Sequence, residues 1–342
     1  PALQITAEDT ALVITGLSIE DVDAGTSTMT VTLAVQHGTL AVTGGSAIIG
    51  GSGTGTVTLT GTKSAINATL SATNAITYTP ALNYNGSDAL SMTTSDGTLS
   101  DADHMDITVT AVNDAPTVVV PAAQSVDEDT SLSVVGLSIA DVDASTGTMT
   151  VTLAVAHGSV TVDATAATSA SVTLTTNGSA SVQLSGSVTA INTLLATANA
   201  VRYTPSANYN GSDTLNVTVS DGGNTGSGGT LSGSASVALT VNAVNDAPIN
   251  TVPLTTQSAT EDTAKVITGL SIADVDGGSG TFTVTLAADH GTLTVAAGTG
   301  VVVAFNGTAS VQLSGTVSAI NTLLATANAV TYTPTLNYNG SD

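Results

Sequence analysis

The chain has no cysteine and no tryptophan, only two phenylalanines, and three basic residues against 26 acidic ones. Without cysteine there is no disulfide, no thiolate metal site and no cysteine nucleophile, and the redox compartment is left open. The scarcity of Lys and Arg leaves a formal net charge of −23. Nucleic acid and anionic membrane surfaces, both negative, are excluded as partners by like-charge repulsion. Lys63, Arg202 and Lys265 are too few to tie the acids into a salt-bridge network. No apolar run reaches the roughly 18 residues of a membrane span, and no signal peptide precedes Pro1. Because charged residues make up only 8% of the chain, the acids are sparse but almost unopposed. The partner left for clustered carboxylates is a cation.

A hydrophobic content of 42%, mostly Val, Ala, Leu and Ile, argues against disorder. With so few aromatics the core must be built from β-branched and small side chains, which suit packed sheets. The abundant Thr and Ser supply the outward-facing alternate positions.

What is present is a sentence written three times: EDT, DVD, HG, a short AIN segment, YTP, NYNGSD. Glu8, Glu128 and Glu261 open the copies 120 and 133 residues apart, and each is followed after 13 residues by a DVD, at Asp21/Asp23, Asp141/Asp143 and Asp274/Asp276. That period is too long for a solenoid turn and matches a whole domain. AVNDAP at 111–116 and 243–248 marks the boundaries, and Pro1 stands in phase as a further such proline. The chain thus reads as three domains, 1–115, 116–247 and 248–342. Repetition favours a structural or binding role over catalysis, since a spacer is needed many times and an active site seldom is.

Runs such as Met149–Val155, Ser181–Gly186, Thr214–Gly222 and Ser236–Val244 alternate apolar with Thr or Ser between Gly, Asn and Asp. Period two over short runs predicts antiparallel strands, about seven per domain, in an immunoglobulin-like β-sandwich. One segment breaks the rhythm: Ile191, Leu194, Leu195 and Ala198 fall at helical spacing, predicting a short crossover helix over 189–199 with Thr189 as N-cap and Asn199 as left-handed terminator. Helices over 64–72 and 318–328 follow by repetition. The Gly-rich stretch 222–229, present only in the second copy, reads as a surface loop. The third copy lacks the last two strands of its siblings, so either the protein continues or another subunit supplies strands by β-augmentation.

The DVD pair is expected at a strand end, both carboxylates pointing one way and Val142 toward the core. Two anions on one face invite a cation. A site of carboxylates, an Asn and backbone carbonyls without His or Cys selects calcium, whose six to eight ligands tolerate irregular geometry, over magnesium. Asn and Asp also favour turns unaided, which is the metal-free reading of the same residues. His37, His157 and His290, one per copy, read as turn residues. The tyrosines of YTP and NYNG read as core and corner residues.

The ordered set NDAP, EDT, DVD, HGTL, YTP, NYNGSD and SDG resembles the cadherin-like, tandem-95-type immunoglobulin-like repeats of very large bacterial surface adhesins, across all three copies. The resemblance implies calcium at domain junctions, held by a Glu of the preceding domain, the Asx linker and the DxD of the following domain. Carried over by motif, the first junction uses Glu8, Asn113, Asp114, Asp141 and Asp143, and the second Glu128, Asn245, Asp246, Asp274 and Asp276. Asp96 and Asp221 of SDG join from the end of the preceding domain, or form Asx turns; Asp21 and Asp23 are candidate ligands by the DVD motif. The mid-domain DRE of animal cadherins has no clear counterpart here, which leaves the number of ions open.

The sequence therefore predicts an extracellular structural region of a bacterial surface adhesin or filament, stiffened by calcium, with neighbouring repeats or identical subunits as partners and a surface or glycan target. Carbohydrate or ice binding is the alternative, as is a polymer completed by strand exchange. Exposed aromatics for sugar stacking are scarce, and no nucleophile elbow accompanies a His and an acid, so no enzyme is expected.

Overall fold

The computed structural model describes residues 3–342, so Pro1 lies outside the described residues. The protein is all-β, with a few short helices, and it builds three separate hydrophobic cores, one in each copy of the repeat. The chain divides into two compact units, Pro1–Val241, which contains the first two cores, and Asn242–Asp342, which contains the third.

Alternation drives the sheets. In Met149–Ala154 the side chains of Met149, Val151 and Leu153 are buried while the threonines between them face outward. Val151 faces Leu184 on one neighbouring strand and Val219 on the other, and Leu153 faces Val182 and Val217. Buried aliphatic side chains of this kind contribute about 1.5–3 kcal/mol each. In the second repeat a six-stranded sheet runs Gln124–Asp127, Ser232–Asn242, Gly211–Ser220, Met149–Ala154, Ser181–Gly186, Thr173–Thr175, and a three-stranded sheet runs Leu132–Ser133, Val201–Pro205, Gly158–Val162. The first repeat has the same two sheets in the same order. Its opening strand, Gln4–Ala7, lies parallel to its closing strand, Ser100–Thr110. In the Asn242–Asp342 unit, Phe282–Ala287 pairs with Ser310–Gly315, and Phe282, Val284 and Leu286 are half-buried where Met149, Val151 and Leu153 are fully buried.

The crossover helices are α1 (Lys63–Leu70), α2 (Ala164–Ser169), α3 (Val188–Leu195) and α4 (Val317–Leu324). α3 starts earlier than expected: Ser187, not Thr189, is its N-cap, accepting from Ala190 N at 3.2 Å. It ends at Ala196, and Asn199 takes a left-handed φ of 60° in the turn beyond. Ile191, Leu194 and Leu195 face the core as their spacing predicts. α2 was not legible, because ATAATS has no apolar stripe; Asp163 nucleates it by accepting from Thr165 N and Ala166 N.

The buried tyrosine of YTP is a core residue with a polar handle. Tyr203 Oη donates to the carboxylate of Asp213 at 2.9 Å and to the His157 carbonyl at 3.1 Å, and Tyr78 does the same with Asp88 and His37. His157 stacks on Tyr209 with ring centroids 4.2 Å apart, as His37 does on Tyr84 and His290 on Tyr338. The histidines are turn residues pinned by an aromatic neighbour.

Candidate metal centre

Where the first repeat meets the second, three segments converge. The opening strand of repeat 1 delivers Glu8, whose amide donates to the Thr110 carbonyl at 3.0 Å. Its buried carboxylate accepts from Val112 N at 2.6 Å through Oε1 and from Asn85 Nδ2 at 3.3 Å through Oε2. Each oxygen keeps a lone pair, so these bonds orient the group without exhausting it. Next to it, Asp9 adopts a left-handed φ of 57° and accepts from Asn83 N.

Repeat 2 delivers the DVD turn, and its geometry departs from expectation. The strand Ser138–Ala140 ends before Asp141. Asp141 Oδ1 then accepts from Asp143 N at 2.9 Å and Ala144 N at 2.8 Å, an Asx turn that bends the chain out of the pleat. Period two is broken there, so Val142 faces solvent at 56% exposure rather than the core, as do Val22 and Val275. The turn is anchored from α3: the side chain of Asn192 accepts from Ile139 N and donates to Ile139 O, at 2.9 and 2.8 Å. Asn67 grips Ile19, and Asn321 grips Ile272, in the same way.

Between them runs the linker. Asp114 N donates to Asp143 Oδ2 at 2.5 Å. Three buried side-chain oxygens here, Asn113 Oδ1, Asp114 Oδ2 and Asp141 Oδ2, have no hydrogen-bond partner. Burial, and then the negative charges of Asp143, Asp9, Glu8 and Asp141, push the Asp114 carboxyl above its ordinary range. Unpartnered buried acceptors beside a carboxylate carrying neighbours' charge are an unfavourable arrangement that a hard cation would relieve. Among the described residues, no three His, Cys, Asp or Glu side chains gather closely enough to form a metal centre by themselves.

The SDG aspartates sit elsewhere than expected. SDG is the turn between the long strands Gly211–Ser220 and Ser232–Asn242, so it lies one strand length, about 30 Å, from the linker that follows. Asp221 consequently meets the linker that precedes its own repeat: its Oδ2 accepts from Asn113 Nδ2 at 2.5 Å. Burial raises its carboxyl pKa, but hydrogen bonds from Asn113, Gly223 and Leu231 outweigh this and hold it below the ordinary range. Asp96 does not join the first junction. It caps its own turn, accepting from Thr98 N and Leu99 N at 2.7 Å, and lines a polar cavity of about 450 Å³ with Asp21 and Asp23. Asp21 forms the same Asx turn as Asp141, accepting from Asp23 N and Ala24 N.

Of the second set, Glu128 is buried in repeat 2 and accepts from Asn210 Nδ2. In the Asn242–Asp342 unit, Asp246 N donates to Asp276 Oδ2 at 3.1 Å, repeating the Asp114–Asp143 contact, and Asn245 Nδ2 donates to Asp246 O. A hydrogen bond to Asp276 leads the causes that raise the Asp274 carboxyl, and the same bond lowers Asp276. Sequence reasoning missed Asp9, although it stands beside Glu8 in every EDT, and missed Gly229, whose carbonyl accepts from Asn113 Nδ2 at 2.9 Å. Nothing in the sequence tied that loop to the linker.

No protein-family model and no curated protein matches this chain. Among solved structures, human mucin-like protocadherin EC1-2 aligns at 15% identity and a TM-score of 0.28, over 71% of this chain and 96% of that one. Mouse cadherin-23 EC22-24 aligns at 15% identity and 0.30, over 92% and 85%. An endo-fucoidan hydrolase of glycoside hydrolase family 107 aligns at 17% identity and 0.19, over 81% of this chain but only 34% of the hydrolase. At such scores the sandwich rests on the strand order and registers of the chain itself.

Proposed function

We propose that this chain is a non-catalytic, extracellular stretch of a bacterial surface adhesin or filament, whose first inter-repeat junction binds calcium and thereby stiffens. The observation that carries this reading is the set of buried, unpartnered oxygens of Asn113, Asp114 and Asp141. Glu8 from one repeat, Asn113 and Asp114 from the linker, and Asp141 and Asp143 from the next repeat would hold the ion. Bound calcium would neutralise these carboxylates and cross-link two repeats through one centre. The Asx turn leaves Asp141 Oδ2 for the ion while Oδ1 holds the turn, and Asn192 keeps that turn seated on α3. Asp246, Asp274 and Asp276 reproduce part of the pattern and are assigned the same role.

Titration calorimetry with calcium, alongside small-angle scattering in calcium and in chelator, tests the reading. Saturating calcium at 100 times Kd should stabilise the fold by about 2.7 kcal/mol, and chelation should make the chain more flexible. Absence of binding heat together with identical scattering profiles would refute it.

A further inference from the structure

The Gly-rich stretch of repeat 2 behaves as a clasp on the linker. Ser227 N donates to the Ala111 carbonyl at 3.1 Å, and Asn113 N donates to the Ser227 carbonyl at 2.8 Å, making a parallel bridge with Val112. This is a one-residue strand addition. Just before it, Thr225 Oγ1 donates to the Asp143 carbonyl and Asn224 Nδ2 to the Thr148 carbonyl, so the same loop also holds the end of the DVD turn. The approach is close: a Cβ built on Gly226 would stand 2.5 Å from Val112 C and 2.6 Å from Asn113 N, and φ there is +93°. Only glycine fits both the contact and the conformation.

The clasp also fixes one side chain. Asn113 Nδ2 points at two acceptors, Asp221 Oδ2 and the Gly229 carbonyl. A carbonyl oxygen facing two acceptors would be repelled, so the amide has one allowed orientation, and its buried Oδ1 is turned away from the loop. The corresponding turn of repeat 1 passes from Asp96 to Leu99 through Gly97 and Thr98 alone and has no residues equivalent to the clasp.

We infer that the loop 222–230 is a built-in brace that restrains the first junction whether or not a cation is bound, and that Asp221 is a positioning residue which presents Asn113 Oδ1 to the ion. The second half rests on the calcium reading above; the first does not. The distance between repeats 1 and 2 decides the matter. Because the chain has no cysteine, spin labels placed at the exposed Ala102→Cys and Ala238→Cys report one distance distribution free of background.

In chelator the otherwise unaltered chain should give a narrower distribution than a chain without the loop. Replacing 222–230 by the Gly-Thr of repeat 1 should broaden it at least about twofold, and Gly226→Val, which leaves the loop length intact, should broaden it too. Asp221→Asn should lower calcium affinity by about 10- to 100-fold, as loss of a ligand-orienting partner does elsewhere. A distribution in the unaltered chain as broad as in the two variants overturns the brace. Unchanged affinity in Asp221→Asn overturns the positioning role. If the unaltered chain binds no calcium, the proposed function fails while the chelator measurements still decide the brace.

Discussion

Replacing Asp213 is the sharpest test of how the sandwich spends its few charges. The carboxylate is 5% exposed and accepts four hydrogen bonds: Oδ1 from Ala156 N at 3.0 Å and Thr214 N at 2.7 Å, Oδ2 from His157 N at 3.0 Å and Tyr203 Oη at 2.9 Å. In Asp213→Asn the amide oxygen can keep the Oδ1 pair, and Tyr203 can turn its hydroxyl fully to the His157 carbonyl and accept from the new NH2. His157 N–H is then left facing a donor. One stranded donor and the lost charge assistance should cost about 2–3 kcal/mol. Asp213→Ala strands the three backbone donors while Tyr203 keeps the His157 carbonyl, and should cost about 4–5 kcal/mol, whereas Tyr203→Phe removes the hydroxyl shared by Asp213 and the His157 carbonyl and should cost about 1–2 kcal/mol.

The pH dependence has a definite sign. Burial raises the Asp213 carboxyl, but the three backbone donors and Tyr203 outweigh it, holding the folded-state pKa below the ordinary 3.8. A lowered carboxyl contributes stability that is fully present above 3.8 and disappears as pH falls through the folded-state value. The gap between the parent and Asp213→Asn should therefore be widest near neutrality and close below pH 4. Hydrogen exchange read repeat by repeat supplies the assay, because repeat 1 keeps its own Asp88–Tyr78 pair as an internal control. A uniform loss of less than about 0.5 kcal/mol, or a gap independent of pH, would refute the assignment.

Other consequences can be checked alongside. Asn192→Ala removes both bonds between α3 and Ile139 and should destabilise repeat 2 by about 1–3 kcal/mol in chemical denaturation. Leu194→Ala, at a fully buried position, should cost about 2–5 kcal/mol by the same measurement. Ser187→Ala deletes the N-cap of α3 and should cost about 1 kcal/mol. Asp141→Ala should abolish calcium heat at the first junction and unfasten the turn, whereas Asp96→Ala should leave that heat unchanged, a contrast readable by calorimetry.

The sandwich was legible because its signal is local: Met149, Val151 and Leu153 alternate with threonine, and nothing nearby competes. Ile191, Leu194 and Leu195 likewise announced a helix, although its cap fell two residues early because Ser187 serves as well as Thr189. The DVD geometry was misread because a period-two argument places Val142 inward, while the short Asp141 side chain captures the following amides and overrides the pleat. Asp213 carried no sign of burial in the sequence; the amides that hold it belong to Ala156 and His157, 57 and 56 residues away. Asp221 and Asp96 share one motif but differ in partners, since the clasp bonds Asn113 across 108 residues. Long-range hydrogen bonds of this kind leave no trace in spacing.

The parallel pairing of Gln4–Ala7 with Ser100–Thr110 has a mechanical consequence. Chain enters repeat 1 at one end of this pair and leaves at the other, with Gln4 opposite Ile107 and Ala7 opposite Thr110. Tension applied along the string pulls the two strands past one another, so the registered pairs bear the load together in shear instead of parting one at a time. Single-molecule pulling of the intact chain should show repeat 1 resisting as a unit, and gradual yielding at low force would contradict this. A string of such repeats would hold its length under load because of how the first and last strands of each are aligned.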